Sequence, residues 1–163
     1  MKQKVVATIA NIAILMLPLS AQAATTTYTL PIKSITPGTI DPSVTQSNIA
    51  STICVVGYTK TVRPQASYTN SLKYAQLRGS YSRYGSTDKT LFEEDHLIPL
   101  AIGGAPRDPK NLWPEPWTSA RKKDVLELKM HLMVCAGTIT LAKARAIFAT
   151  DWTKGYATYV GGN

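Results

Sequence analysis

Phe92-Glu93-Glu94-Asp95-His96-Leu97-Ile98-Pro99-Leu100-Ala101-Ile102-Gly103-Gly104, continued by Ala105-Pro106-Arg107-Asp108-Pro109-Lys110-Asn111-Leu112-Trp113-Pro114, is the stretch on which the reading of this chain turns. A short strand carries an acid and an imidazole and then bends at Pro99, because a proline has no N–H to continue a ladder. Gly103-Gly104 and Pro106 make a wide loop. Asn111-Leu112-Trp113 returns as a second short strand, and Pro114 and Pro116 lead into a helix. The order is strand, loop, strand, helix.

Downstream, Ser119–Val134 has the strongest helical pattern in the sequence. Val125, Leu128, Leu132 and Cys135 fall at helical spacing, with Leu126, Met130 and Met133 widening the stripe. Gly137 stops this helix just past its last turn. Thr140 caps a last helix to about Trp152, with Leu141, Ala144, Ile147 and Phe148 facing inward. Upstream, Ser43 or Thr45 caps a short helix running to Ile53, and Val55–Val62 reads as a short β-branched strand ended by Arg63-Pro64. Thr69 reads as the N-cap of a helix from Asn70 to Arg78, with Leu72 and Ala75, and Tyr74 and Leu77, paired three apart. Gly79 and Gly85 bracket the Ser/Tyr-rich segment that follows. The fold expected is α+β and mostly helical, one strand–loop–strand–helix unit with helices before and after it.

The first residues belong to a different category. Lys2 and Lys4, an apolar run from Ile12 to Leu17, and Ala21-Gln22-Ala23 have the order of a secretory signal over residues 1–23. The run is far short of the ~20 residues a spanning helix needs. Residues 24–42, rich in Thr and carrying Pro31, Pro37 and Pro42, read as an extended or partly disordered arm. Residues 43–163 read as a single domain. A secreted or periplasmic location follows, with no membrane anchor in the mature form. Cys54 and Cys135 are the only cysteines, and in an oxidising compartment one disulfide is the simplest use of them. Two cysteines cannot build a zinc ribbon.

The formal net charge is +8, of which Lys2 and Lys4 leave with the leader. Lys60, Arg63, Lys73, Arg78, Arg83 and Lys89 crowd one segment against Asp88 alone. A basic surface suits nucleic acid, anionic lipid or an acidic polymer without choosing among them.

Asp95-His96-x-x-Pro99, then Gly103-Gly104, then Asn111-Leu112, then a helix, resembles the ββα-metal unit of the HNH endonucleases. The wider Asp-His-Leu-Ile-Pro-Leu, Gly-Gly, Asn-Leu-Trp-Pro run is similar to that of small secreted bacterial HNH-like proteins. The resemblance implies a metal-dependent nuclease that hydrolyses phosphodiester bonds, on DNA ahead of RNA. Such hydrolysis needs a base to deprotonate water and a cation to take charge on the phosphate, and imidazole titrates near neutral pH. His96 would be the general base, Asn111 would hold its ring, and Asp95 would bind one divalent ion, Mg²⁺ ahead of Mn²⁺ or Zn²⁺.

The helix position that usually supplies a second ligand falls on Ala120, which has no donor. Asp124 or Glu127 is the substitute. Regular strand alternation would instead place Glu94 beside His96, making Glu94 the alternate ligand. Arg121, Lys122 and Lys123 crowd the first turn of a helix, where cations oppose the dipole and a phosphate, or Asp95 or Glu115, would offset that cost; they are the candidate phosphate contacts. The rival readings are a basic module that binds nucleic acid or another polyanion without turnover, and an Asp95–His96 region that is a purely structural metal or salt-bridge site.

Overall fold

The computed structural model describes residues 28–161, so the leader, residues 1–23, lies outside it. Its elements are α1 (Tyr58–Val62), α2 (Ala66–Arg78), β1 (Phe92–His96), β2 (Leu112–Pro116), α3 (Trp117–Cys135) and α4 (Leu141–Tyr159), with short 3₁₀ turns between them. β1 and β2 form a two-stranded antiparallel sheet in continuous register from Phe92↔Pro116 to His96↔Leu112. Both strands of such a sheet are edges, so Pro114 and Pro116 fit without breaking a central ladder.

The loop between the strands is held by its glycines. Gly103 adopts φ +72°, and a Cβ at Gly104 would overlap the Ile98 carbonyl. Backbone geometry alone accounts for both.

α3 packs against α4 and contacts both strands, as does α2. Trp113, Tyr81, Leu126, Met130, Phe148 and Trp152 fill the core. Thr140 caps α4, its hydroxyl accepting from the Lys143 N–H at 3.2 Å, and Gly137 follows the end of α3 with φ +71°. The arm from Tyr28 to Pro42 is extended but docked. Tyr28 stacks on Trp152 at 5.7 Å, Thr36 is buried, and Ile40 bridges to Gly104.

The Cys54–Cys135 disulfide is present, linking residues 81 apart across a Cα separation of 5.7 Å. It ties the end of α3 to the segment after the first 3₁₀ turn. Replacing both cysteines by serine is expected to cost about 2–4 kcal/mol, measured as a lower denaturant midpoint with a steeper slope, because the unfolded chain loses its crosslink.

Four local expectations are corrected. Val55–Val62 is not a strand: Gly57 at φ +86° reverses the chain, and Tyr58–Val62 is helical. α2 begins after Gln65 rather than at Thr69, because the Thr69 hydroxyl donates back to the Ala66 carbonyl instead of capping. α4 runs past Trp152 to Tyr159, through a kink where Asp151 leaves helical geometry. The largest correction concerns α3. Val125, Leu128 and Leu132 are 47 %, 60 % and 56 % exposed, while Ala120, Lys123, Leu126, Met130 and Val134 face the core. The buried face carries Ser119 and Lys123, so counting apolar residues alone selects the wrong side of the helix.

Candidate active site

β1 is unbulged, yet it ends at His96, and that ending is what lets two neighbouring residues serve one site. The ring is turned toward the loop, where its Nε2–H donates to the Pro106 carbonyl at 2.9 Å. A carbonyl can only accept, so Nδ1 is the unprotonated nitrogen of the neutral ring. No hydrogen bond to Nδ1 is made among the described residues. Burial lowers the His96 pKa below its ordinary value of 6.5, against the raising effects of the Pro106 bond and the Asp95 charge. The imidazole is therefore a free base at neutral pH.

Behind the histidine sits a buried ion pair. Lys123 reaches in from α3, and its ammonium donates to Asp95 Oδ2 at 2.6 Å and to the His96 carbonyl at 2.8 Å. The other carboxylate oxygen of Asp95 accepts from the His96 N–H at 2.7 Å. Burial alone would raise the Asp95 pKa, but the Lys123 charge and the hydrogen bonds outweigh it and bring it down to about 2. Burial likewise acts to lower the Lys123 pKa, and the Asp95, Glu115 and Glu127 charges reverse that into a rise. One lysine thus neutralises the acid and grips the backbone of the histidine at once.

Around this pair stand Glu93, Asp124, Glu127 and Arg63. The charges of Asp95, Lys123 and Arg63 act on His96, Glu93, Asp124 and Glu127 alike, which places all of them in one neighbourhood. Burial, with the added charges of Asp95 and Asp124, pushes Glu93 up to about 7. Glu127 is also pushed up to about 7, by burial first, with Lys123 opposing and Asp95 and Asp124 adding to the rise. Arg63 makes no ion pair among the described residues. Next to it, between the Ile53–Thr59 segment and α3, a cleft of about 410 Å³ opens, and Arg63, Asp124 and Glu127 are part of its lining.

Each residue singled out in the sequence has a definite place here. His96 is at the site with a free nitrogen. Asn111 is buried but does not hold the ring. Its Oδ1 accepts from the Ile98 N–H at 2.9 Å, and its Nδ2 donates to the carbonyls of Ile98 and Ala105 at 3.0 and 3.1 Å. It braces the loop that presents the Pro106 carbonyl, so it acts one residue removed from the histidine.

Asp95 is at the site with both oxygens engaged, one by the Lys123 ammonium and one by the His96 N–H. Asp124 and Glu127 are at the mouth. Lys123 is fully buried, so it cannot contact phosphate; Arg121 and Lys122 remain exposed on the same helix. Glu93 and Arg63 were not singled out as site residues. Glu93 is two residues before Asp95, on the same strand face, a signal the sequence did carry. Arg63 comes from a distant segment and carries none.

Glu94 is elsewhere. Its carboxyl is buried without a hydrogen-bond partner and feels Lys73 and Asp95 rather than Arg63 or Lys123. Burial raises its pKa from 4.5 to about 9, with Lys73 opposing. Because the folded value lies above the unfolded one, the stability it gives is full below about pH 4.5 and is lost as pH rises toward 9. Glu94→Gln is therefore expected to raise the thermal midpoint at pH 8, by something on the order of 5 °C, and to change little at pH 4. Melting curves at the two pH values decide it.

The fit to a metal depends on which metal. No group of three His, Cys, Asp or Glu side chains able to hold an ion stands together among the described residues. That excludes the closed three- or four-ligand set zinc takes. Magnesium asks for less: it keeps several waters and is bound through one or two carboxylates plus substrate phosphate. Asp124 and Glu127, three apart on one helix face and opening on the same cleft, suit that use.

The site combines a free imidazole nitrogen, two carboxylates for a hard cation and an unpaired guanidinium, a donor set suited to chemistry on a phosphate ester. No known family, curated protein or solved structure matches this chain.

Proposed function

We propose that the chain is a metal-dependent, HNH-like nuclease that hydrolyses phosphodiester bonds, DNA ahead of RNA, in a secreted or periplasmic setting. The observation that carries this reading is the His96 ring, pinned at Nε2 by Pro106 with Nδ1 free, beside carboxylates and Arg63 at the end of a strand–loop–strand–helix unit. His96 Nδ1 takes a proton from the attacking water as its oxygen bonds to phosphorus. The phosphorus–oxygen bond to the leaving strand breaks, and the leaving oxygen takes up a proton from solvent, to which the imidazolium then loses its own. The Asp95 charge acts to raise the His96 pKa and so favours the imidazolium formed, against the Lys123 charge, while Nε2–H stays on Pro106. Arg63 neutralises a phosphate oxygen, and Arg121 and Lys122, exposed on α3, would hold the flanking backbone. A divalent ion, Mg²⁺ on the chemistry of the donors, would be held by Asp124 and Glu127 and would supply Lewis-acid stabilisation of charge on the phosphate and leaving oxygen. The disulfide suits an oxidising compartment. No helix among the described residues is long and apolar enough to cross a membrane.

A second reading has one observation in its favour. Asp95 is paired with Lys123 instead of standing open, as it would on a frame that has given up catalysis and binds a polyanion only. Incubating the disulfide-bonded protein with plasmid DNA and a structured RNA, in Mg²⁺, Mn²⁺ or EDTA, separates the two. The nuclease cuts in metal and stops in EDTA; a binder retards the nucleic acid in a salt-sensitive manner and leaves it intact.

A further inference from the structure

The cleft beside the site has a lining the hydrolytic chemistry does not use. One wall is apolar: Ile53, Ala101 and Leu128 line it with the Cys54 end of the disulfide, and Val55 and Val56 stand at its rim. Val55 and Leu128 are 48 % and 60 % exposed, so nothing among the described residues covers them. The remaining lining is polar and directional. His131 donates Nδ1–H to the Ala101 carbonyl at 2.9 Å, which leaves its Nε2 as an acceptor. Tyr58 and Thr59 add hydroxyls, and Arg63 contributes the unpaired charge. The disulfide fixes one wall to the other, since Cys54 and Cys135 join the Ile53–Thr59 segment to α3.

A cleft lined by apolar side chains together with hydrogen-bonding groups and a cation suits an unpaired nucleotide. A nucleobase presents an apolar face and an edge bearing both donors and acceptors, and its phosphate carries the charge. A volume of about 410 Å³ lies at the lower end of small-molecule sites. Bases inside a duplex have their faces stacked and their edges paired, so they cannot enter a cleft. A wholly apolar ligand would bury His131, Glu127 and Arg63 without partners, at a cost.

We propose that this cleft receives one unpaired base of a single-stranded polynucleotide, with Arg63 on the adjoining phosphate, and so sets the nuclease's substrate class as single-stranded nucleic acid. The assignment rests on the phosphodiesterase reading for its setting, since Asp124 and Glu127 serve both the reaction and the cleft.

The test is binding, measured in the His96→Ala protein so that no strand is cut. Fluorescence anisotropy follows short labelled single-stranded DNA and RNA and the duplex of the same sequence, in Mg²⁺ at fixed salt. Single strands are expected to bind about tenfold tighter than duplex. The neutral double variant Val55→Ser/Leu128→Ser, at two exposed positions, is expected to lose about tenfold for single strands while leaving duplex binding and the melting midpoint unchanged. Arg63→Gln is expected to reduce the slope of log affinity against log salt by about one.

DNA and RNA strands binding alike would mean the base is read; a preference of tenfold for RNA would assign a sugar contact in the same cleft. Equal binding of single strand and duplex, or no effect of the double variant, overturns the proposal. So does displacement of the strand by a neutral apolar peptide and not by a mononucleotide. The failures are separable. A protein that cuts nucleic acid but fails these comparisons loses only the cleft; one that passes them without cutting loses only the nuclease.

Discussion

Lys123→Met is expected to destabilise the protein by about 3–5 kcal/mol, the largest stability loss of any single substitution considered. Lys123 is fully buried, and removing its ammonium leaves the Asp95 carboxylate buried with Oδ2 unpaired and the His96 carbonyl without its donor. Breaking one partner of a buried pair costs this much because the other charge has nowhere to go. Adding Asp95→Asn removes the stranded charge and keeps the acceptor for the His96 N–H. The double variant is therefore expected to recover about 2 kcal/mol relative to the sum of the single changes.

pH supplies an independent check on the same pair. The Asp95 pKa is depressed to about 2 from 3.8, so its stabilising contribution is present above about pH 4 and lost as pH falls toward 2. The gap between wild type and Lys123→Met should narrow over that acid range. Urea titrations at pH 7 and pH 3 measure both effects. A Lys123→Met protein within 1 kcal/mol of wild type at pH 7 would show that the pair does not hold the site together.

The second large effect concerns activity. His96→Ala is expected to lower phosphodiester cleavage by about 10²- to 10⁴-fold, the range a general base contributes, with the fold intact. The ring makes a single hydrogen bond, to Pro106, and Lys123 holds the backbone of residue 96 rather than its side chain. Alanine at this position therefore keeps the strand end and the ion pair while removing the base. Asn111→Ala should behave differently, since it frees the loop backbone at Ile98 and Ala105. It is expected to lower stability and activity together, which marks a bracing residue rather than a reacting one.

How much of this was legible follows from where each signal lies. The strand–loop–strand–helix order was readable because Pro99, Gly103-Gly104 and Pro114 punctuate it locally, and the disulfide because two cysteines allow one pairing. Thr140 and Gly137 end their helices by rules that need only neighbouring residues. α3 was placed correctly along the chain and only partly around its axis, since Leu126 and Met130 face the core as expected while Val125, Leu128 and Leu132 do not. Its inner face carries Ser119 and Lys123, and the partner that makes Lys123 an inner residue, Asp95, lies 28 positions away. Asp124 and Glu127 were found as a replacement for Ala120, yet their companion Arg63 was not, because only the folded chain brings α1's end to α3. A salt bridge at Asp95 was among the readings open to the sequence, and only the folded chain names Lys123 as its partner.

The most direct test of the central claim is the pH dependence of single-turnover cleavage of an oligonucleotide in Mg²⁺, for wild type and His96→Ala. Burial lowers the His96 pKa below 6.5, so the wild-type rate, at Mg²⁺ saturating enough to keep Glu127 ionised, should rise with unit slope through a midpoint under 6.5 and then level off. In His96→Ala the remaining rate should lack that limb. A folded wild-type protein that cleaves nothing at any pH, or a limb that persists unchanged in His96→Ala, would contradict the account.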